Sequence, residues 1–205
     1  MGAILLAHGV SANASCDSTD SCLRAIEAAQ KDTRSISARF TQTKHLSLLD
    51  EPLVSTGRFV FQSPDHMRLE IESPRSATIL IKGRDISIPG IAESDKQQLS
   101  MTPMAAMFSE LGAMFSGSPA QLRQHFQVSA VPVDNGIEVT LTPTVPEWQK
   151  LFRTIRLRFA GPDLLMSTMH LDDALGDQLD IVMSDVQRNQ TLPADAFELH
   201  ATPPQ

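Results

Sequence analysis

The side chains best suited to proton transfer or metal ligation near neutral pH are six histidines: His8, His45, His66, His125, His170 and His200. They are scattered, and no two fall at the spacing of one helix or strand face. The sequence contains no H-x-x-x-H, C-x-x-C or G-x-S-x-G pattern and no glycine-rich phosphate loop. The densest acidic and imidazole cluster is His170 with Asp172 and Asp173, and it reads as a polar hairpin turn before Gly176 rather than as a metal site. Cys16 and Cys22 are the only cysteines, placed at the head of the first helical pattern. A disulfide closing that short loop is favoured over two free thiols, and over a metal site that would have to recruit Asp17, Asp20 or His8. Neither a catalytic centre nor a cofactor nor a metal is expected.

The segment with the most distinctive chemistry is apolar. Met104, Met107, Phe108, Leu111, Met114 and Phe115 fall at helical spacing on one stripe. With Met101, four of the nine methionines lie within 14 residues. Any apolar stripe serves a helix that simply packs on a sheet. The functional reading is that unbranched thioethers repack around guests of different shape. Gly112 and Gly117 would loosen such a cover.

The elements that must position this helix are mostly strands. Thr19 or Asp20 is expected to cap a first helix reaching about Lys31. Residues 35–42 then alternate with period two, as do 57–61, 66–72, 77–82, 85–88 and 96–100. Met67, Leu69 and Ile71 share one face of the 66–72 run. Thr102-Pro103 reads as a cap and first turn for a helix to about Phe115, followed by a short helical piece at 119–124. Strands resume at 126–133, turn at Asp134-Asn135-Gly136 and return at 137–142. After a helical turn at 146–151, strands are expected at 153–159, 164–171 and 178–187. About 11 strands with short connections predict a mainly β domain with some α. Its single antiparallel sheet must curl into an unclosed barrel whose interior is filled or covered by helices.

Composition narrows the function classes. The 205 residues are 41% hydrophobic, and 17 Lys and Arg stand against 24 Asp and Glu, for a net charge of −7. That balance argues against nucleic-acid binding and against adhesion to anionic bilayers. Nine Phe accompany the nine Met, but there is one Trp and no Tyr. The apolar stretch Ala3–Val10 followed by Ala12 and Ala14 reads as a truncated signal peptide over 1–14, leaving one domain over 15–205.

Several strings, taken together and in order, resemble the periplasmic outer-membrane lipoprotein carrier family (LolA, with its related acceptor LolB). Residues 35–42 resemble the family's opening strand. Residues 52–59 with Ser63-Pro64 and Met67-Arg68-Leu69 resemble its next stretch, and Pro74 with 79–83 matches the element after that. Leu141-Thr142-Pro143, residues 195–199 and Thr202-Pro203-Pro204 fit later landmarks. The resemblance spans about residues 20–204. It implies a monomeric, non-enzymatic carrier in the periplasm, sheltering the acyl chains of lipoproteins or another lipid-like cargo in an apolar barrel. The cargo would come from an inner-membrane donor and pass to an outer-membrane acceptor, with no nucleic-acid partner. On this reading Met67, Leu69, Ile71, Ile79 and Ile81 line the cavity, and the Met101–Phe115 helix is the lid. A lipid-sensing or interaction module on the same scaffold, regulating a membrane partner, is the alternative. The family's lid-holding Arg is Ser63 here, its Trp is Leu69, and its aromatic string after Gly83 is replaced by residues 84–89, so that Arg68 and Arg75 become candidate latches.

Overall fold

The computed structural model describes residues 16–83, 85–89 and 119–199. The expected signal segment, the strand at 96–100 and the helix at 101–115 lie outside the described residues, so ten strands are described where about 11 are expected. Helix α1 (Thr19–Gln30) opens the fold. Five strands follow: β1 (Ser35–His45), β2 (Leu53–Gln62), β3 (His66–Ser73), β4 (Ala77–Lys82) and β5 (Asp85–Ser87). A 3-10 turn (Pro119–Gln124) leads into β6 (Phe126–Val133) and β7 (Gly136–Pro143), and the short α2 (Pro146–Gln149) precedes β8 (Phe152–Ala160). Strands β9 (Leu165–Asp173) and β10 (Gln178–Arg188) complete the sheet.

The cap of α1 lies one residue earlier than expected. Ser18 accepts from the Ser21 amide while the Ser21 side chain reaches back to the Ser18 amide, forming a capping box. This releases Thr19, which accepts from the Ala130 amide of β6 at 3.2 Å. It also releases Asp20, which pairs with Arg123 in the 3-10 turn. The hydrogen bond from Arg123, reinforced by its charge, holds the Asp20 carboxyl below its usual pKa. Cys16 and Cys22 are joined by a disulfide with Cα atoms 4.9 Å apart, and Cys22 is fully buried. Closing this short loop should stabilise the fold by about 2 kcal/mol through the unfolded chain. Cys16→Ser and Cys22→Ser are each expected to lower the urea midpoint, and dithiothreitol should reproduce the shift in the wild type but not in the variants.

All ten strands form one antiparallel sheet in the order β5-β4-β3-β2-β1-β10-β9-β8-β7-β6, with no pairing between the outer strands β5 and β6. Every ladder joins consecutive strands except β1 with β10. That seam carries a register shift between Ser37 and Arg39, opposite Asp185 at φ 52°. The inner face collects the apolar alternates. Val139, Leu157 and Met169 lie in one cross-strand row, and Leu141, Ile155 and Leu171 in the next. Helix α1 lies across β6 and buries Leu23 and Ile26 in the same core.

Strand β2 begins at Leu53, four residues before the expected start at Gly57, because its pairing with β1 continues without a break from Gln62 to Leu53. Gly57 therefore sits in mid-strand, beside a register shift to β3. At Gly136 a Cβ would lie 1.9 Å from the Phe159 carbonyl oxygen, so the turn glycine also permits close approach of β8.

Candidate functional site

Strand register places Met67, Leu69, Ile71, Ile79 and Ile81 on one face. Met67 pairs with Phe61 and Ile81, Leu69 with Phe59 and Ile79, and Ile71 with Gly57 and Ala77. Their accessibility divides them. Met67 and Ile81 are sealed into the core, whereas Leu69, Ile71 and Ile79 are only partly buried and form an apolar wall. The six lid candidates Met104, Met107, Phe108, Leu111, Met114 and Phe115 lie outside the described residues.

The inner face has two characters. Across β6–β9 it is filled by α1 together with Leu122, Phe126 and Trp148, the last two with ring centroids 5.0 Å apart. Across β2–β4 the apolar wall stays partly open. Between the two, a small apolar gap is bordered by Ile36, Ala38, Phe59, Met166, Met183 and Val186. Sequence reading missed this seam because the bulge in β10 shifts the alternation, so that Met183 and Val186 both face inward. All four methionines among the described residues, Met67, Met166, Met169 and Met183, belong to or pack against the inner core. The adaptable side chains are thus not confined to the 101–114 segment.

The outer face is polar and cross-linked. Glu72 joins Arg58, at 2.7 Å, to Arg39, at 3.1 Å, and so bridges two arginines paired directly across β1 and β2. Arg68 lies on this side as well. It donates to the Glu198 carbonyl at 2.9 Å and reaches the Ala196 carbonyl at 3.4 Å, holding residues 191–199 over the sheet. Phe197 sits edge-on to His66, and Leu80 is buried on the same outer face. Arg68 therefore points away from the cavity, which removes it as a lid latch; its odd-even position opposite Leu69 and Met67 already implied this. Ser63 lies in the β2–β3 turn, where its amide donates to the Arg34 carbonyl.

His170 lies in β9, which continues past the expected end at Leu171 and takes in the expected turn residues Asp172 and Asp173. Its Nδ1 lies 2.6 Å from Asp180 and its Nε2 3.2 Å from Asp172. Burial alone would raise the Asp172 pKa. Hydrogen bonds from Thr154, His170 and Gln178, with the charge of His170, outweigh burial and leave it lowered. This network ties β8, β9 and β10 on the surface opposite the apolar wall. Among the described residues no group of His, Cys, Asp and Glu is arranged to hold a metal ion.

An open antiparallel sheet with an apolar inner wall and an ion-paired exterior defines a class of unclosed-barrel proteins whose interior can contact apolar molecules. Residues 31–200 match the family model of the outer membrane lipoprotein carrier protein LolA, and the chain belongs to that family. It is 30% identical over 176 residues to an outer-membrane lipoprotein carrier protein of Dechloromonas aromatica, covering 85% of this chain and 80% of that protein. A protein of the same description from Methylibium petroleiphilum is 28% identical over 82% of this chain and 78% of its own length. Among solved structures, MucB in the Pseudomonas aeruginosa MucA/MucB complex superposes with a TM-score of 0.54 at 12% identity, over 90% of this chain and 62% of that one. That likeness is one of fold. Family membership places the chain among carriers, which bind rather than transform.

Proposed function

We propose that this protein is a periplasmic carrier that shelters the acyl chains of lipoproteins, or of a related amphiphile, and delivers them to an outer-membrane acceptor. The observation that carries the reading is the partly open wall of Leu69, Ile71 and Ile79, continuous with a core rich in Phe and Met. Each methylene removed from water is worth about 0.8 kcal/mol, so an acyl chain does not cross an aqueous compartment unescorted at a useful rate. A wall of this kind offers an alternative to water without any chemical step. The names of the relatives support the cargo class. An acidic exterior keeps a loaded carrier from adhering to anionic lipid.

Two measurements test the proposal. Mass spectrometry of organic extracts should find lipid co-purifying with the protein, and the delipidated protein should bind a fluorescent fatty acid saturably. It should then pass the probe to an acceptor-bearing membrane with the probe intact. Ligand-dependent binding to a membrane partner without transfer would replace the carrier reading by a sensor.

A further inference from the structure

We infer that Lys44 is the headgroup anchor of the binding surface, and that the cargo's polar end carries an anion, a carboxylate or a phosphate. The inference rests on the carrier reading above and specifies the ligand that reading leaves open. Along β1, register without a break from Arg39 to His45 puts Phe40, Gln42 and Lys44 on one side. Phe40 is in the core, so Lys44 belongs to the inner face, at its rim. Its cross-strand neighbours are both apolar: Leu53 on β2 and Leu179 on β10. One step inward, Gln42 pairs with Ser55. The inner face of β1 thus grades from Ile36, Ala38 and Phe40 through Gln42 to a cation at the water's edge. That is the polarity profile of an amphiphile lying with its tail inward.

Of the two basic residues that β1 and β10 place on the inner side, Arg188, opposite Ile36, is paired with Asp163 at 3.2 Å, and Lys44 is not paired among the described residues. Arg39, Arg58, Arg68, Arg123, Arg156 and Arg188 each have a carboxylate within 4.0 Å. The acid that feels the charge of Lys44 is Asp177, and that carboxylate is already held by the Ser47 amide at 2.8 Å. Ser47 is also the main reason that Asp177 titrates below its usual range, with Lys44 contributing least. A lysine stem lying along Leu53 and Leu179 keeps its ammonium at the surface. There the low-dielectric wall strengthens its attraction for an anion. From Ile36 to Lys44 the strand spans roughly 26 Å at 3.3 Å per residue, a length on the scale of a long acyl chain.

Calorimetric titration of the delipidated protein with dodecanoate, dodecyl phosphate and dodecanol, which share one tail, tests the assignment. The wild type should bind at least one anion about 10-fold tighter than the alcohol, the scale of one hydrogen bond to a charged group. Lys44→Gln should bring that ratio to within about 2-fold while alcohol binding is unchanged, and Lys44→Arg should restore the preference. Preference for the phosphate alone points to a phospholipid-type headgroup, and for the carboxylate alone to a free fatty acid. Equal binding of anions and alcohol by the wild type, or a preference that survives in Lys44→Gln, overturns the inference. Failure of all three ligands to bind would instead remove the carrier reading.

Discussion

Leu69→Glu is expected to weaken fatty-acid binding by at least about tenfold, because a carboxylate on the apolar wall must either shed its water or exclude the ligand. Leu69 is the diagnostic position because it is only partly buried and its neighbours across the strands, Phe59 and Ile79, are apolar. Its side chain can turn toward solvent in the free protein, so the urea midpoint should move little. Met67 and Ile81 would be poor substitutes. Both are sealed in the core, and a charge there would unfold the sheet and lose binding for an uninformative reason. Fatty-acid affinity and urea unfolding measured side by side separate the cases. Undiminished binding by a folded Leu69→Glu protein would place the ligand elsewhere.

The second large effect concerns the sheet itself. A Cβ at Gly57 would stand 2.0 Å from the Glu70 carbonyl oxygen and 2.8 Å from Cζ of Phe40. The first obstacle is backbone and cannot rotate away; the second is a ring buried in the core. Gly57→Ala should therefore cost about 3 kcal/mol or more, at or beyond the upper end of ordinary overpacking. Gly161 provides the comparison. There a Cβ meets nothing within 4 Å, and only the positive φ of 77° is strained, so Gly161→Ala should lose about 1–2 kcal/mol. Equal urea midpoints for the two variants would show that β2 and β3 can separate at this point at little cost.

Much of the fold was legible because local and global signals agree. Residues 66–72 alternate apolar and polar, and the structure uses that alternation from His66 to Ile71, with Leu69 and Met67 inward and Arg68 outward. Asn135-Gly136 marks the β6–β7 turn, and Asn135 adopts the left-handed conformation such a turn asks for. Signals failed where a feature depends on a distant partner. Ser18 caps α1 in place of its neighbours because Thr19 is taken by β6 and Asp20 by Arg123, contacts invisible in a window of twelve residues. The bulge opposite Ala38 shifts the phase of β10, so simple alternation misassigns Val186. Lys44 escaped notice because a lysine near a strand end reads as solvent-facing until both neighbouring strands fix its side.

The single ladder between strands distant in sequence has a consequence for how the chain reaches its folded state. Strands β1–β5 and β6–β10 are each a run of neighbouring hairpins, so each half can form from local contacts. The β1–β10 pairing closes a loop of more than a hundred residues and brings most of its reward only after both halves exist. Until it forms, β1 and β10, each 11 residues long, are open edges ready to accept a foreign strand. Aggregation of this protein should therefore start at the seam, and substitutions that weaken β1–β10 pairing should lower the yield of refolding more than they lower the stability of the folded sheet.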